Sequence, residues 1–274
     1  MAFTSARVVR RKSQVGDELI EKVMSRPLFV RDSDLATKVR SIFRRSGYRS
    51  LPVVDRKERL IGIITRRDML NITSTKSNVT ANGIMSSPLV YLTPDEDLLS
   101  AAKKMLGAKV SRAMVVESKQ SMKLAGVVST HDLLKVLLEK RRSPKKLVKE
   151  IMNRNVPACS PSDLITKVWR KMEEVSCTGM PVVKKKVIGM ITRGDIIAAG
   201  FARIHREGEG GKSRTSTVER VMQTPVISIA PEARIEDAAA MMLKKNIGSL
   251  PVIEKGRLLG LVDRNDIIKQ YLER

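Results

Sequence analysis

The sequence is poor in the residues that most chemistries require. Its 274 residues contain only two cysteines, Cys159 and Cys177, too few for a disulfide framework and not spaced as a C-x-x-C pair. The two histidines, His131 and His205, lie far apart and with those cysteines assemble no metal quartet. Aromatic residues make up 3% of the chain, which argues against stacking of single-stranded bases. No run of about 18 uncharged apolar residues occurs, so no membrane-spanning helix is expected. The opening stretch MAFTSARVVRRKSQVG carries basic residues but no apolar core, and does not read as a secretory signal. A cytoplasmic, reducing setting is the expectation. No nucleophile or acid–base constellation stands out, so the chain is expected to be non-enzymatic.

Acid is the other shortage. Asp and Glu number 29 against 52 Lys and Arg, a net charge of +23. The excess is spread evenly: +12 over residues 1–140 and +11 over 141–274. Such a surface gathers anions, which speaks to partners rather than to fold. Hydrophobic residues still reach 42%, enough for buried cores.

What the sequence does have is an internal repeat. Met24, Met85, Met152 and Met222 each follow Val or Ile, and a proline comes three residues later in three of the four copies (Pro27, Pro88, Pro225) but slips to Pro157 in the third. An apolar strand follows at Leu51–Val54, Met114–Val116, Met180–Val183 and Leu250–Ile253. A second strand carries one glycine each time: Gly62, Gly126, Gly189, Gly260. Each copy closes on an aspartate, Asp68, Asp132, Asp195 or Asp266, at 44, 47, 43 and 44 residues from its methionine. Between the first proline and the strands lies a helical period, Ile235, Ala238, Ala239 and Met242 in copy four and Leu35, Val39, Ile42 and Phe43 in copy one. Each copy reads strand, helix, strand, strand, helix. A unit of about sixty residues is only marginally stable alone, so the copies are expected to pair. The expected domains are a basic arm over 1–16, one pair over 17–140, a basic linker over 141–149 and a second pair over 145–274, with a mobile linker at 203–217.

With these motifs the chain resembles the quadruple cystathionine-beta-synthase (CBS) domain proteins, a mixed α/β class in which four CBS repeats pair as two Bateman modules, often as a flat disc. The resemblance implies a sensor of adenosine ligands (AMP, ADP or ATP as regulator, with no required cofactor and no metal) bound in clefts between paired repeats. In that family a Thr/Ser-x-x-Asp after the second strand contacts the ligand, its aspartate holding the ribose hydroxyls. Here the match is Thr65 with Asp68, Ser129 with Asp132 and Thr192 with Asp195. A vicinal diol offers two O–H donors to one acceptor-only carboxylate. The same spacing is also nearly a helix capping box, and both roles can hold together. Copy four reads Asp263-Arg-Asn-Asp266, which keeps a cap but adds a carboxylate that disfavours phosphate. In the family a basic residue just before the Pro-Val strand (Leu51–Val54 in copy one) reaches the phosphates; Arg49 and Arg112 are read there, against Thr178 and Gly248 in the other copies.

Basic clusters recur outside the strands: Arg7, Arg10, Arg11 and Lys12; Arg141, Arg142, Lys145, Lys146 and Lys149; and Lys184, Lys185 and Lys186. Lysines and arginines that neutralise several phosphates release counterions and give salt-sensitive binding. The expectation is a factor that docks on the ribosome or other structured RNA, tuned by adenine nucleotide. The alternative is an energy-sensing regulatory protein acting on a protein partner, with the charge serving solubility. A homodimer through the module faces is compatible with either.

Overall fold

A computed structural model of the chain describes residues 18–46, 48, 50–66, 68–71, 78–88, 90–140, 143–199 and 216–273. Repeat 1 opens with a short helical turn at Ile20–Lys22, followed by β1 (Val30–Arg31), α1 (Ala36–Ser46), β2 (Ser50–Val54), β3 (Leu60–Thr65) and a turn at Asp68–Asn71. Repeat 2 has a turn at Ala81–Gly83, then β4 (Tyr91–Leu92), α2 (Leu98–Gly107), β5 (Arg112–Val116), β6 (Leu124–Ser129) and α3 (Thr130–Lys140). Repeat 3 contains α4 (Val148–Ile151), α5 (Ile165–Glu174), β7 (Gly179–Val183), β8 (Val187–Thr192) and α6 (Arg193–Ala198). Repeat 4 has a turn at Val218–Arg220, then α7 (Ile235–Lys244), β9 (Ser249–Glu254), β10 (Arg257–Asp263) and α8 (Arg264–Leu272).

In repeats 1 and 2 the first strand lies parallel to the second, which pairs antiparallel with the third. In repeats 3 and 4 the first strand shrinks to single parallel bridges, Cys159 to Val182 and Ile229 to Val252. The closing helix of repeat 1 is, over its described residues, only the turn at Asp68–Asn71. Every hairpin carries a register shift near its tip. The helices α2, α5 and α7 each end on a left-handed residue, Lys109, Ser176 and Asn246. The next residue donates back five positions, Val110 to Met105, Cys177 to Met172 and Ile247 to Met242, a Schellman ending with an apolar residue over the last turn.

Helix α7 buries Ile235, Ala238, Ala239 and Met242, the stripe read from the sequence. Helix α1 differs. Val39 and Phe43 are buried and Ile42 partly so, but Leu35, just ahead of the helix, is 45% exposed.

The repeats interlock by exchanging their leading segments. The segment at 18–25 belongs to repeat 1 but packs on repeat 2: Ser25 pairs with Val127, and Leu98 N donates to the Glu18 carbonyl. Residues 79–86 return the exchange, Ser86 pairing with Ile63 and Ala36 N donating to the Val79 carbonyl. Repeats 3 and 4 do the same. Asn153 and Leu261 exchange two backbone hydrogen bonds of 2.9 Å, and Met190 pairs with Gln223. These contacts explain the recurring Met and Gly. Each methionine lies on the strand glycine of the opposite repeat: Met85 on Gly62, Met24 on Gly126, Met222 on Gly189 and Met152 on Gly260. A Cβ on Gly126 would stand 2.5 Å from Met24 Sδ, and one on Gly260 2.7 Å from both Met152 Sδ and the Asn153 carbonyl oxygen.

A larger core fuses repeats 2 and 4. It runs from Leu98, Ala102 and Met105 through Leu133, Leu134 and Leu137 to Ala238, Met242, Ile267, Ile268 and Tyr271, with α3 packed on α7 and α8. Repeats 1 and 3 keep cores of their own around Phe43 and Trp169. The arm 1–16 and most of the 203–217 linker lie outside the described residues. The end of that linker is fixed rather than loose: Ser216 is buried, its carbonyl accepts from Ile165 N, and Thr217 bridges to Leu164.

Candidate functional site

The four aspartates stand at the ends of the third strands, where the chain turns into the closing helix. In repeat 1, Thr65 N and Oγ1 both donate to Asp68 Oδ2, at 2.6 and 2.7 Å. Ser129 N and Oγ donate to Asp132 Oδ2 at 2.9 and 2.6 Å, and Thr192 N and Oγ1 to Asp195 Oδ2 at 2.8 and 2.5 Å. In repeat 3 the capping box is complete, Asp195 N donating back to Thr192 Oγ1 at 3.2 Å; in all three repeats these bonds fix the carboxylate by one oxygen. Among the described residues no partner is recorded on the second oxygen of Asp68 or Asp132. An ionised carboxylate oxygen has two lone pairs, so each of these two aspartates has an edge able to receive both hydroxyls of a diol. In repeat 3 the second oxygen is already engaged, Gln223 Nε2 donating to Asp195 Oδ1 at 3.0 Å.

Repeat 4 departs further. Asp263 N donates to Asp266 Oδ2 at 2.8 Å, and Asp266 N donates to Asp263 Oδ1 at 2.9 Å. Burial, and then the charge of Asp263, push the Asp266 carboxyl up to about 6. This pair opposes an added phosphate.

The strand register corrects one equivalence drawn from the sequence. Arg112 pairs with Ser129, while the residue opposite Thr65 is Ser50, opposite Thr192 Gly179 and opposite Asp263 Ser249. Arg112 therefore matches Ser50, and the place of Arg49 in repeat 2 belongs to Ser111. Arg49 lies outside the described residues. β2 is buried along its whole length and β5 nearly so. Without an alternation of apolar and polar residues, a one-residue slip is invisible in the sequence. Arg112 itself lies over the Tyr48 ring, 5.9 Å from its centre, and so joins repeat 2 to repeat 1 beside the Ser129–Asp132 turn.

Sequence reading also missed a recurring arginine directly after the Thr or Asp cap. Arg66 Nε donates to the Tyr48 carbonyl at 2.7 Å and its Nη2 to Phe43 at 3.3 Å; Arg193 Nη2 donates to Met172 at 2.7 Å. These cations fasten the C-terminal ends of α1 and α5, where partial negative charge collects. Arg264 stands at the same offset, 9% exposed. Its charge, second to burial, lowers the pKa of His131 on α3. His131 Nδ1 is buried without a hydrogen-bond partner among the described residues. Recurrence at one offset in three of four repeats was the available signal.

The basic candidates separate. Arg7, Arg10, Arg11, Lys12, Arg141 and Arg142 lie outside the described residues. Lys146 bonds Gln270 Oε1 and pairs with Glu273, and Lys149 pairs with Glu232 at 2.8 Å. Those two, read as phosphate contacts, also tie the segment at 146–149 to repeat 4, whose acids stand within reach. Lys145, Lys184, Lys185 and Lys186 are exposed. Among the described residues no group of three metal-ligating side chains gathers, and no helix is long and apolar enough to cross a membrane.

Comparisons with known proteins place this geometry. The CBS domain family model matches residues 19–74, 81–139, 148–201 and 218–273. The chain is 26% identical over 268 residues to the uncharacterized protein MJ1404 of Methanocaldococcus jannaschii, covering 92% of this chain and 62% of that relative's length. It is 24% identical over 250 residues to an uncharacterized 33.4 kDa protein in the ribosomal RNA operon of Thermofilum pendens, covering 82% of this chain and 81% of the relative. Among solved structures, protein MJ1225 of M. jannaschii, proposed as an archaeal homolog of g-AMPK, superposes with a TM-score of 0.79 at 22% identity, covering 93% of this chain and all of that one. With the family model matched four times along most of its length, the chain belongs to the CBS domain family.

Proposed function

We propose that this protein is an adenosine-ligand sensor that regulates a protein partner in the cytoplasm, without catalysis of its own. The observation that carries the reading is the half-occupied carboxylate of Asp68 and of Asp132, each locked through one oxygen and unpartnered among the described residues at the other. Arg112 beside the second of these supplies a cation for a 5′-phosphate. The fold shared with a protein proposed as a g-AMPK homolog supports an energy-sensing role. The ligands proposed are AMP, ADP and ATP. Repeats 1 and 2 form the better sites, because Gln223 competes in repeat 3 and the Asp263–Asp266 pair repels phosphate in repeat 4. Calorimetry on the whole chain tests this. Asp68→Asn and Asp132→Asn should each weaken AMP binding by about 1–3 kcal/mol, the loss of a charged hydrogen-bond acceptor. Unchanged affinity in both variants would defeat the reading.

A second reading keeps a structured polyanion, ribosomal RNA foremost, as the regulated partner. It is supported by the +23 charge in a chain with few aromatics, and by a relative described as lying in a ribosomal RNA operon. Cosedimentation with ribosomes that fades with salt would favour it; protein running free of ribosomes at low salt would leave the first reading alone.

A further inference from the structure

The hairpin tips of the paired repeats abut, and the two pairs of tips differ in charge. In repeats 1 and 2 the tips carry Arg56, Lys57, Arg59, Lys119 and Lys123 against three acids. Each acid is engaged: Asp55 with Arg59 at 2.7 Å, Glu117 with Lys123 at 3.2 Å and Glu58 with Arg31 at 3.7 Å. The tips meet through Leu60 N on the Met122 carbonyl and Leu124 N on the Glu58 carbonyl.

In repeats 3 and 4 the same tips also carry five cations, Lys184, Lys185, Lys186, Lys255 and Arg257, but only one acid, Glu254. None of these five forms an ion pair with a described residue. The nearby loops offer no relief, since Asp163 pairs with Lys167 and Glu232 with Lys149. All five cations are exposed. Their backbone is tightly hydrogen-bonded. Lys184–Lys186 is the whole loop between Val183 and Val187, closed by Lys184 N on the Lys186 carbonyl at 3.1 Å. Lys255 and Gly256 form a two-residue turn with φ of 50° and 84°, the tight hairpin type that suits twisted strands. Val187 N donates to the Gly256 carbonyl at 3.1 Å, and the Lys186 stem lies over Gly256. Five cations with no ion pair among the described residues therefore project from one stiff double tip, so little backbone ordering accompanies their engagement.

We propose that the joined hairpin tips of repeats 3 and 4 are a docking surface for the phosphate backbone of a nucleic-acid duplex. A protein partner fits them less well. Protein interfaces centre on desolvated apolar residues, and the large apolar side chains exposed among the described residues, such as Leu28, Leu35, Tyr91, Val175 and Ile227, all lie off these tips. A duplex keeps its bases stacked inside and presents only phosphates, which lysines and arginines engage without aromatic help. The assignment rests on the polyanion reading and names the surface that would carry it.

The test measures binding of the full-length protein to mixed-sequence RNA and DNA duplexes by fluorescence anisotropy across a salt series. Wild-type affinity should fall linearly with salt on logarithmic axes, and either duplex binding in this way supports the surface, the tighter one identifying the source. Lys185→Glu with Lys255→Glu should lower the slope by about two, one unit per lost contact. The milder pair Lys185→Gln with Lys255→Gln should lower it in the same direction. Lys57→Glu with Lys119→Glu, on the other tips, should keep the wild-type slope. A wild-type melting profile by circular dichroism in each variant shows that the fold survives. An unchanged slope in both repeat 3–4 variants would overturn the surface assignment while leaving the polyanion reading standing. Wild-type protein that ignores both duplexes, or that polyglutamate displaces as readily from a resin of either, would overturn it as well. Duplex binding without ribosome cosedimentation would sink the ribosomal reading alone.

Discussion

At the residue scale the closing motif does two jobs, and its fourth copy shows what each requires. Thr65, Ser129 and Thr192 donate a hydroxyl and an amide to one oxygen of the following aspartate. Asp263 donates only its amide to Asp266 and sets a second carboxylate beside it. A carboxyl raised from 3.8 to about 6 destabilises the fold in a defined pH window. Below about pH 4 it is protonated in both folded and unfolded chains. As pH rises toward 6 the unfolded chain ionises first, and the fold loses stability, by about 1–3 kcal/mol, which stays lost above 6. Asp263→Thr removes the like charge and restores the hydroxyl donor. It should melt higher than wild type at pH 7, by roughly 1 kcal/mol of stability, and the difference should close near pH 4. An equal gain at both pH values would show that the pair is not the cause. The motif itself was plain in the sequence. Its partner groups were not: Gln223, on the leading segment of repeat 4, reaches Asp195 only because the segments are exchanged.

At the scale of elements, the exchange is what converts four marginal units into interlocked pairs. Met and Gly recur in the sequence at fixed offsets, but their contact joins different repeats, so spacing within one copy could not reveal it. The backbone carbonyl of Asn153 leaves no room over Gly260. Gly260→Ala should therefore cost about 1–3 kcal/mol in denaturant unfolding, the ordinary cost of overpacking against atoms that cannot yield. Gly107, at the end of α2, has nothing within 4 Å of an added Cβ. Gly107→Ala should be neutral or stabilise by up to about 1 kcal/mol. If the two changes behave alike, the close approach at Gly260 is not what fixes that residue. The helices and hairpins were legible because their signals, the 3.6-residue period and two short apolar strands close in sequence, are local. The first strands of repeats 3 and 4 were overread, since a short apolar run looks the same whether it forms a ladder or one bridge. The position of Arg112 was misread for the related reason that β5 is buried on nearly every residue and offers no alternation to count.

At the scale of the molecule, the shared core of repeats 2 and 4 decides how the two halves behave. The seam of α2, α3, α7 and α8 buries Leu133, Leu134, Leu137, Ile267, Ile268 and Tyr271 in one continuous cluster. Ser143 Oγ and Tyr271 OH lie 2.9 Å apart, fastening the connection between the halves to α8. Nothing in the periodicity of one repeat announces this seam, because each helix would show the same apolar stripe against any neighbour. Its consequence is cooperative unfolding across all four repeats, and the chain contains its own reporter. Trp169 is the only tryptophan, 2% exposed in the core of repeat 3, which is separate from the repeat 2–4 core. Leu134 lies fully buried in repeat 2, and Leu134→Ala should cost about 2–5 kcal/mol. If the seam couples the halves, Trp169 fluorescence and far-ultraviolet circular dichroism should shift together, by roughly 2–4 °C per kcal/mol for a chain of this size. If Trp169 melts at the wild-type temperature while the dichroism splits into two steps, the halves unfold separately and the seam is only a contact between independent modules.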